Sequence, residues 1–341
     1  MNNVTLGRTG ITVPQNAFGA LPIQRVTTDE AVALLRRAYE GGMRYFDTAR
    51  AYTDSEVKMG IAFSGMREKV IIATKTTATT AEGVRQDLQT SLANLQTDYI
   101  DLYQLHNVAQ CYAPGDGTGV YEYLLEAKEQ GLIRHIGVTA HKIEVAFECV
   151  RSGLYETMQF PFSYLTGKRE LELLHACEEA DMGFIVMKGM AGGLITRSDA
   201  AMAFMAQHPA ALPIWGIQRE SELDEWLSYM DETPEMTPEI AAYIEGERAE
   251  LVGDFCRGCG YCLPCPVDIR INDCARMSLM VRRSPSAGWL TPEWQQEMAK
   301  IEDCLHCGQC ASRCPYELDT PALLEKNLAD YRNIIAGKVQ V

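Results

Sequence analysis

At 341 residues the chain exceeds what one ordinary core needs, and it suits a barrel of about 250 residues followed by an appendix of about 100. A formal charge of −15 argues against nucleic acid or an anionic membrane surface as a partner, because both select a basic face to replace counterions. Twelve cysteines would mean a disulfide scaffold in a short secreted chain, but the opening "MNNVTLGRTG" lacks the apolar core of a signal peptide, which predicts reduced thiols and a cytoplasmic location. From Asn16 to Tyr229, short apolar runs then alternate with amphipathic stretches. The expected strands are Ala17–Leu21, Tyr45–Thr48, Val70–Thr74, Ile100–Leu105, His135–Thr139, Met158–Phe162, Phe184–Met187 and Leu212–Gly216. The expected helices between and after them are Asp29–Glu40, Ser55–Phe63, Ala81–Leu95, Val120–Gln130, Lys142–Ser152, Glu170–Ala180, Ala200–Gln207 and Glu222–Tyr229, with Gly41, Gly131 and Gly153 at C-cap positions. None of the apolar runs approaches the ~18 residues needed to span a bilayer.

Eight strands alternating with eight helices predict an α/β fold, a (β/α)8 TIM barrel over residues 1–232, whose site lies at the C-terminal ends of the strands. An open doubly wound sheet is the alternative, and no G-x-G-x-x-G follows the first strand to support it. The texture changes at "MDETPEMTPE", which reads as an acidic, proline-bearing linker over 233–252. Residues 253–341 hold nine of the twelve cysteines, eight of them in two clusters separated by the helix-like stretches Asp273–Arg283 and Pro292–Ile301.

The strand ends carry Asp47, Lys75 and His106, with Tyr52 just beyond Asp47. Singly, each has an ordinary explanation as a loop charge or a packed histidine. Together, after strands two, three and four of one barrel, they converge on one mouth. That set suits carbonyl reduction or its reverse. A phenol of ordinary pKa ~10 is a weak acid, and the Lys75 ammonium is expected to lower the Tyr52 pKa. Asp47 orients Lys75, and His106 donates a hydrogen bond to the carbonyl oxygen as charge develops there. The hydride has to come from a cofactor.

In "FDTARAYTDSE", "ATKT" and "LHN" the order Asp, Tyr, Lys, His, with Tyr five residues after Asp, resembles the tetrad of the aldo-keto reductases. The opening "LGRTGITVPQNAFGA" and "MAGGLI" at Met190–Ile195 are similar to segments of the same family, and the resemblance covers about the first 230 residues. It implies a nicotinamide cofactor, NADP or NAD, and a small carbonyl or alcohol substrate. The family's Ser-Asn pair for the carboxamide corresponds to Thr139 and Ala140, with His141 as a substitute, and Gln159 matches its carboxamide-binding glutamine. Met187 stands where a tyrosine stacks on nicotinamide, Lys188 and Gly189 follow at the expected pyrophosphate, and Glu225 matches the adenine contact. Glu222 occupies the position of an arginine in NADP-specific members, where a carboxylate repels a 2′-phosphate, and Arg219 is the compensating cation.

"CLHCGQCASRCP", Cys304 to Pro315, is the C-x2-C-x2-C-x3-C-P run of iron-sulfur proteins, whereas in "CRGCGYCLPCP" the fourth cysteine, Cys265, arrives one residue early. Because the fourth cysteine of each run ligates the other cluster in two-cluster ferredoxins, Cys256, Cys259, Cys262 and Cys314 are assigned to one 4Fe-4S cluster and Cys304, Cys307, Cys310 and Cys265 to a second. Zinc competes, since paired C-x2-C units also build tetrahedral sites, but it leaves a pair of thiolates over. The shortened spacing also resembles the aldo-keto reductase subgroup of anaerobic microbes that carries an α-helical, ferredoxin-like C-terminal domain. Cys274 is the fallback ligand, Cys149 and Cys177 are expected in the core, and Cys111 in a loop. No feature identifies a flavin site, although splitting a hydride into single electrons calls for such an intermediary. Three readings follow: a nicotinamide-dependent carbonyl reductase, a redox enzyme coupled to ferredoxin or flavodoxin, and a non-enzymatic redox sensor.

Overall fold

The computed structural model describes residues 1–251, 255–283, 286–314 and 316–339. Pro315, expected to stop the chain after the second cysteine run, and the end of the expected linker at 252 lie outside the described residues. The chain forms two compact units, Met1–Gly189 with Ser198–Thr237, and Met190–Arg197 with Pro238–Val341.

The first unit begins with an antiparallel hairpin, β1 (Asn3–Thr5) and β2 (Thr12–Pro14), in which Val4 faces Val13. Eight parallel strands follow: β3 (Ala17–Gly19), β4 (Tyr45–Asp47), β5 (Ile71–Thr76), β6 (Ile100–Leu105), β7 (Ile133–Thr139), β8 (Thr157–Pro161), β9 (Gly183–Met187) and β10 (Ala211–Gly216). They close into a barrel in chain order, with β10 returning to β3. The crossover and final helices are α1 (Thr28–Glu40), α2 (Ser55–Phe63), α3 (Ala81–Leu95), α4 (Val120–Glu129), α5 (Ile143–Ser152), α6 (Lys168–Glu179), α7 (Ser198–Ala206) and α8 (Glu220–Asp231). In α1 the reason is local: Thr27 and Glu30 form a capping box, and Ala31, Leu34, Leu35 and Ala38 recur on one buried face. Gly131 and Gly153 end α4 and α5 with φ of +76° and +68°, as helix-terminating glycines should. At the end of α1 that conformation belongs to Gly42 instead, while Gly41 makes room for the Leu227 side chain, which a Cβ there would meet at 2.4 Å.

The hairpin decides which end of the barrel is open. Val4, Leu6 and Val13 pack with Ala17, Tyr45, Leu102, Ile185 and Leu212, the residues at or near the strand starts, and so plug the N-terminal end. The C-terminal strand ends are left as the mouth.

The second unit is helical in its described residues. The expected linker is largely a helix, α9 (Pro238–Leu251), which belongs to this unit. The stretch expected as one helix over 273–283 is two, α10 (Ile271–Cys274) and α11 (Met277–Arg283). Asn327 supports the break: its amide nitrogen donates to Ala275 O at 3.1 Å and its Oδ1 accepts from Ser278 N at 2.8 Å, satisfying backbone groups the interruption frees. The remaining helices are α12 (Pro292–Ala299), α13 (Gln309–Ser312) and α14 (Thr320–Ile335). Leu323, Leu324, Leu328, Tyr331 and Ile334 of α14 pack with Ile269, Ile271, Met277, Val281 and Met298, and Cys262, Cys274 and Cys310 are buried in the same core. Among the described residues no helix is long and apolar enough to cross a membrane.

Candidate active site

Parallel pairing sets the barrel mouth. Asp47 ends β4 opposite Ala73, Lys75 lies opposite Gln104 on β6, and Thr139 lies opposite Gln159. Lys75 is 1 % exposed and Asp47 2 %, and they form an ion pair, with Lys75 Nζ also donating to Thr48 O at 2.7 Å. Gln104 Nε2 reaches Asp47 Oδ2 at 3.3 Å, and Gln159 bonds the same carboxylate. Burial pushes the Asp47 carboxyl up, and Lys75 with the two glutamines opposes that shift.

Tyr52, half-buried, presents its ring to two of these groups. Lys75 Nζ lies 5.4 Å from the ring centroid, and the His106 ring meets it edge-on at 5.7 Å. All four tetrad residues expected at the mouth are therefore brought together. Burial is the largest influence on Tyr52 and holds the phenol above its ordinary value; Lys75 acts downwards, as expected, without overcoming it, and Asp47 adds to the rise. Burial and then Lys75 push His106 down to about 3, so it is neutral at physiological pH. Its Nδ1 is buried and has no hydrogen-bond partner.

The residues expected to meet a dinucleotide divide into two groups. His141 is pushed down to about 3 by burial, with Lys188 and His106 as further causes, so these three share one neighbourhood. His141 Nδ1 bonds Asn107 Oδ1 at 3.0 Å, and Thr139 Oγ1 accepts from Asn107 N at 2.7 Å, so Asn107 fastens the two to the end of β6. Gln159 Oε1 is buried without a partner, an acceptor suited to a carboxamide N–H. Met187 ends β9, half-buried. Gly189 has a packing duty, since a Cβ there would meet the Trp215 ring at 2.5 Å. On α8, Glu222 caps its own helix, accepting from Gln218 N at 2.8 Å and Arg219 N at 3.1 Å, and it pairs with Arg219 at 3.7 Å. Glu225 accepts from Ser198 Oγ. Gln104 and Asn107 were missed by sequence reasoning. Gln104 was detectable, because a residue two before His106 on a strand shares its face.

The cysteine-rich unit holds two cavities. One is lined by Cys256, Cys259, Cys262 and Cys314. The other is lined by Cys265, Cys304, Cys307 and Cys310, and by Cys262 as well. Cys262 and Ile271 line both. Among the described residues no three His, Cys, Asp or Glu side chains are gathered as a site for a single metal ion. A ring of cysteines around a volume is what a polynuclear cluster needs. Gly258 N donates to Cys256 Sγ at 3.3 Å. Burial and the neighbouring sulfurs push Cys262 up to about 12, a cost that a cationic cluster core relieves. Cys274 lines neither cavity; it is fully buried and its thiol points to Glu297 O at 3.9 Å. Cys149 and Cys177 are fully buried, and Cys111 is a half-buried loop thiol.

Two family models match: the aldo/keto reductase family over residues 15–212 and the 4Fe-4S dicluster domain over 255–319. The uncharacterized oxidoreductase YrpG of Bacillus subtilis (strain 168) is 30 % identical over 227 residues, covering 57 % of this chain and 68 % of its own. Methylglyoxal reductase DkgB of Salmonella typhi is 37 % identical over 177 residues, 48 % of this chain and 62 % of its own. The solved structure of an aldo-keto reductase from Klebsiella pneumoniae in complex with NADPH superposes with a TM-score of 0.60 at 21 % identity, over 72 % of this chain and 94 % of that one, a likeness of fold.

Proposed function

The chain belongs to the aldo/keto reductase family, an oxidoreductase with a 4Fe-4S dicluster domain, and from that premise we propose that it reduces a small aldehyde or ketone with Tyr52 as proton donor. The observation that carries this reading is the Tyr52 ring set between Lys75 and His106 at the barrel mouth. Nicotinamide, when bound, supplies the hydride. Gln159 Oε1 is the acceptor for its carboxamide, with Thr139 and His141 beside it, and Met187, Lys188, Gly189, Arg219 and Glu225 complete the dinucleotide's surroundings. Arg219 is the cation for a 2′-phosphate and so favours NADP, while its pairing with Glu222 keeps NAD in contention.

The chain's own groups divide the proton work. Burial keeps the phenol protonated at neutral pH, the form that carbonyl reduction consumes. As negative charge grows on the substrate oxygen, Tyr52 Oη gives up its proton, and the Lys75 ammonium stabilises the phenolate left behind. Asp47 and Thr48 O hold Lys75 charged and aimed. Neutral His106 donates a hydrogen bond to the same oxygen without competing as an acid.

The cavity linings support two clusters, one held by Cys256, Cys259, Cys262 and Cys314 and the other by Cys304, Cys307, Cys310 and Cys265. They favour a second reading, in which a ferredoxin or flavodoxin exchanges single electrons through the clusters. One experiment separates the two. Anaerobically isolated protein is expected to contain close to eight iron and eight sulfide per chain and to oxidise NADPH or NADH with a panel of aldehydes and ketones. Tyr52→Phe should cut that rate by about 10²–10⁴. Turnover only with reduced ferredoxin or a viologen sinks the first reading. Tight nicotinamide binding with no turnover from either donor leaves a redox sensor.

A further inference from the structure

Arg276 stands at the break between α10 and α11, in the unit that carries the cysteine runs. Its guanidinium is cradled by two glycines from separate segments. A Cβ on Gly258 would lie 2.9 Å from its Cζ and Nη1, and one on Gly192 would lie 2.9 Å from Nη1. Both glycines have positive φ, +65° and +68°, so the cradle depends on residues without side chains. Nη1 donates to Gly192 O at 3.3 Å. Nε is buried and has no hydrogen-bond partner, and among the described residues no carboxylate pairs with the group.

One of the two glycines leads on to a cysteine. Gly258, against which it rests, donates its N–H to Cys256 Sγ at 3.3 Å. A buried donor without an acceptor and a cation without a counter-ion, both packed on the glycine that donates to Cys256 Sγ, are the arrangement expected where a negatively charged group is to be held.

Resting on the cluster assignment above, we propose that Arg276 is a positioning residue for the cluster held by Cys256, Cys259, Cys262 and Cys314, and that its fixed charge raises that cluster's reduction potential. Reduction adds one electron and one negative charge to the cluster, with nothing lost, and a fixed cation nearby stabilises the reduced form more than the oxidised one. Cys256 does not line the second cavity, which serves as an internal control.

The test uses full-length, anaerobically isolated protein. Iron and sulfide are counted first, and dithionite titration at fixed poise is then followed by electron paramagnetic resonance. In Arg276→Gln the ratio of reduced to oxidised cluster is expected to fall at least tenfold for one cluster, which is about 59 mV for one electron, and to hold for the other. Arg276→Lys, which keeps the charge, should change the ratio less than threefold. Equal ratios in wild type and Arg276→Gln at full cluster content overturn the proposal. So does a tenfold change in Arg276→Lys, which also decides the matter should Arg276→Gln fail to assemble its clusters. Wild-type protein with one cluster or none overturns the assignment beneath it instead.

Discussion

The two units solve opposite problems. In the barrel, the reacting groups sit on strands whose hydrogen-bonded register fixes them before any cofactor arrives: Asp47, Lys75 and Gln104 are already paired and buried. In the cysteine-rich unit, α10 and α13 are four residues each, too short to stand alone, and the thiols of Cys262 and Cys310 occupy core positions that leucine or isoleucine would otherwise take. One site is prepared by the fold. The other, on the proposed cluster assignment, prepares the fold, because some of its ligands are also its core.

That contrast is broken or sharpened most severely by removing iron. Chelation under reducing conditions should strip hydrogen-exchange protection from α10 to α14, with opening free energies falling to about zero, while β3 to β10 stay protected. Equal protection in both units of the iron-free protein would make the clusters passengers. A smaller effect, confined to the barrel, is expected from Lys75→Met. It leaves the Asp47 carboxylate buried without its cation and should cost about 3–5 kcal/mol in chemical denaturation, with the cluster absorbance untouched. Adding Asp47→Leu should recover most of that stability and none of the activity, since the pair serves chemistry more than folding. The smallest effect tests thiols that carry no cluster. Hydrogen bonding from Cys149 lowers the Cys111 pKa, whereas burial and Cys111 itself push Cys149 up and burial pushes Cys177 up to about 12. Iodoacetamide at neutral pH should therefore modify Cys111 first, read by peptide mass spectrometry; earlier modification of Cys149 or Cys177 contradicts that order.

Much of the barrel was legible because its signals are local. Ile100–Leu105, Ser55–Phe63 and Ala81–Leu95 fall where apolar periodicity puts them, and the tetrad lies at strand ends that the same pattern marks. The hairpin plug was not legible, because three-residue strands carry too little alternation to register. Helix α9 hides in an acidic, proline-bearing stretch whose apolar side chains are poorly sorted to one face. The break between α10 and α11 depends on Asn327, some fifty residues further on, and no local signal announces it. At the candidate site the residues were readable but not their balance. Whether burial or Lys75 wins at Tyr52 depends on how much chain surrounds the phenol, which is a property of packing. The two cysteine runs, in contrast, are legible from spacing alone, and the 4Fe-4S dicluster model covers both.

The segment Met190–Arg197 leaves the barrel directly after β9, packs with the cysteine-rich unit, and returns at α7. The cysteine-rich unit is therefore threaded through the barrel's sequence and is not a detachable tail. Cutting the gene after Thr237 would not yield a clean catalytic module; it would orphan an eight-residue stretch between β9 and α7 whose natural packing partners had been deleted. A truncation after Thr237 removes the packing partners of Met190–Arg197 together with the cysteine runs, so activity lost in it would report lost scaffolding as well as lost electrons.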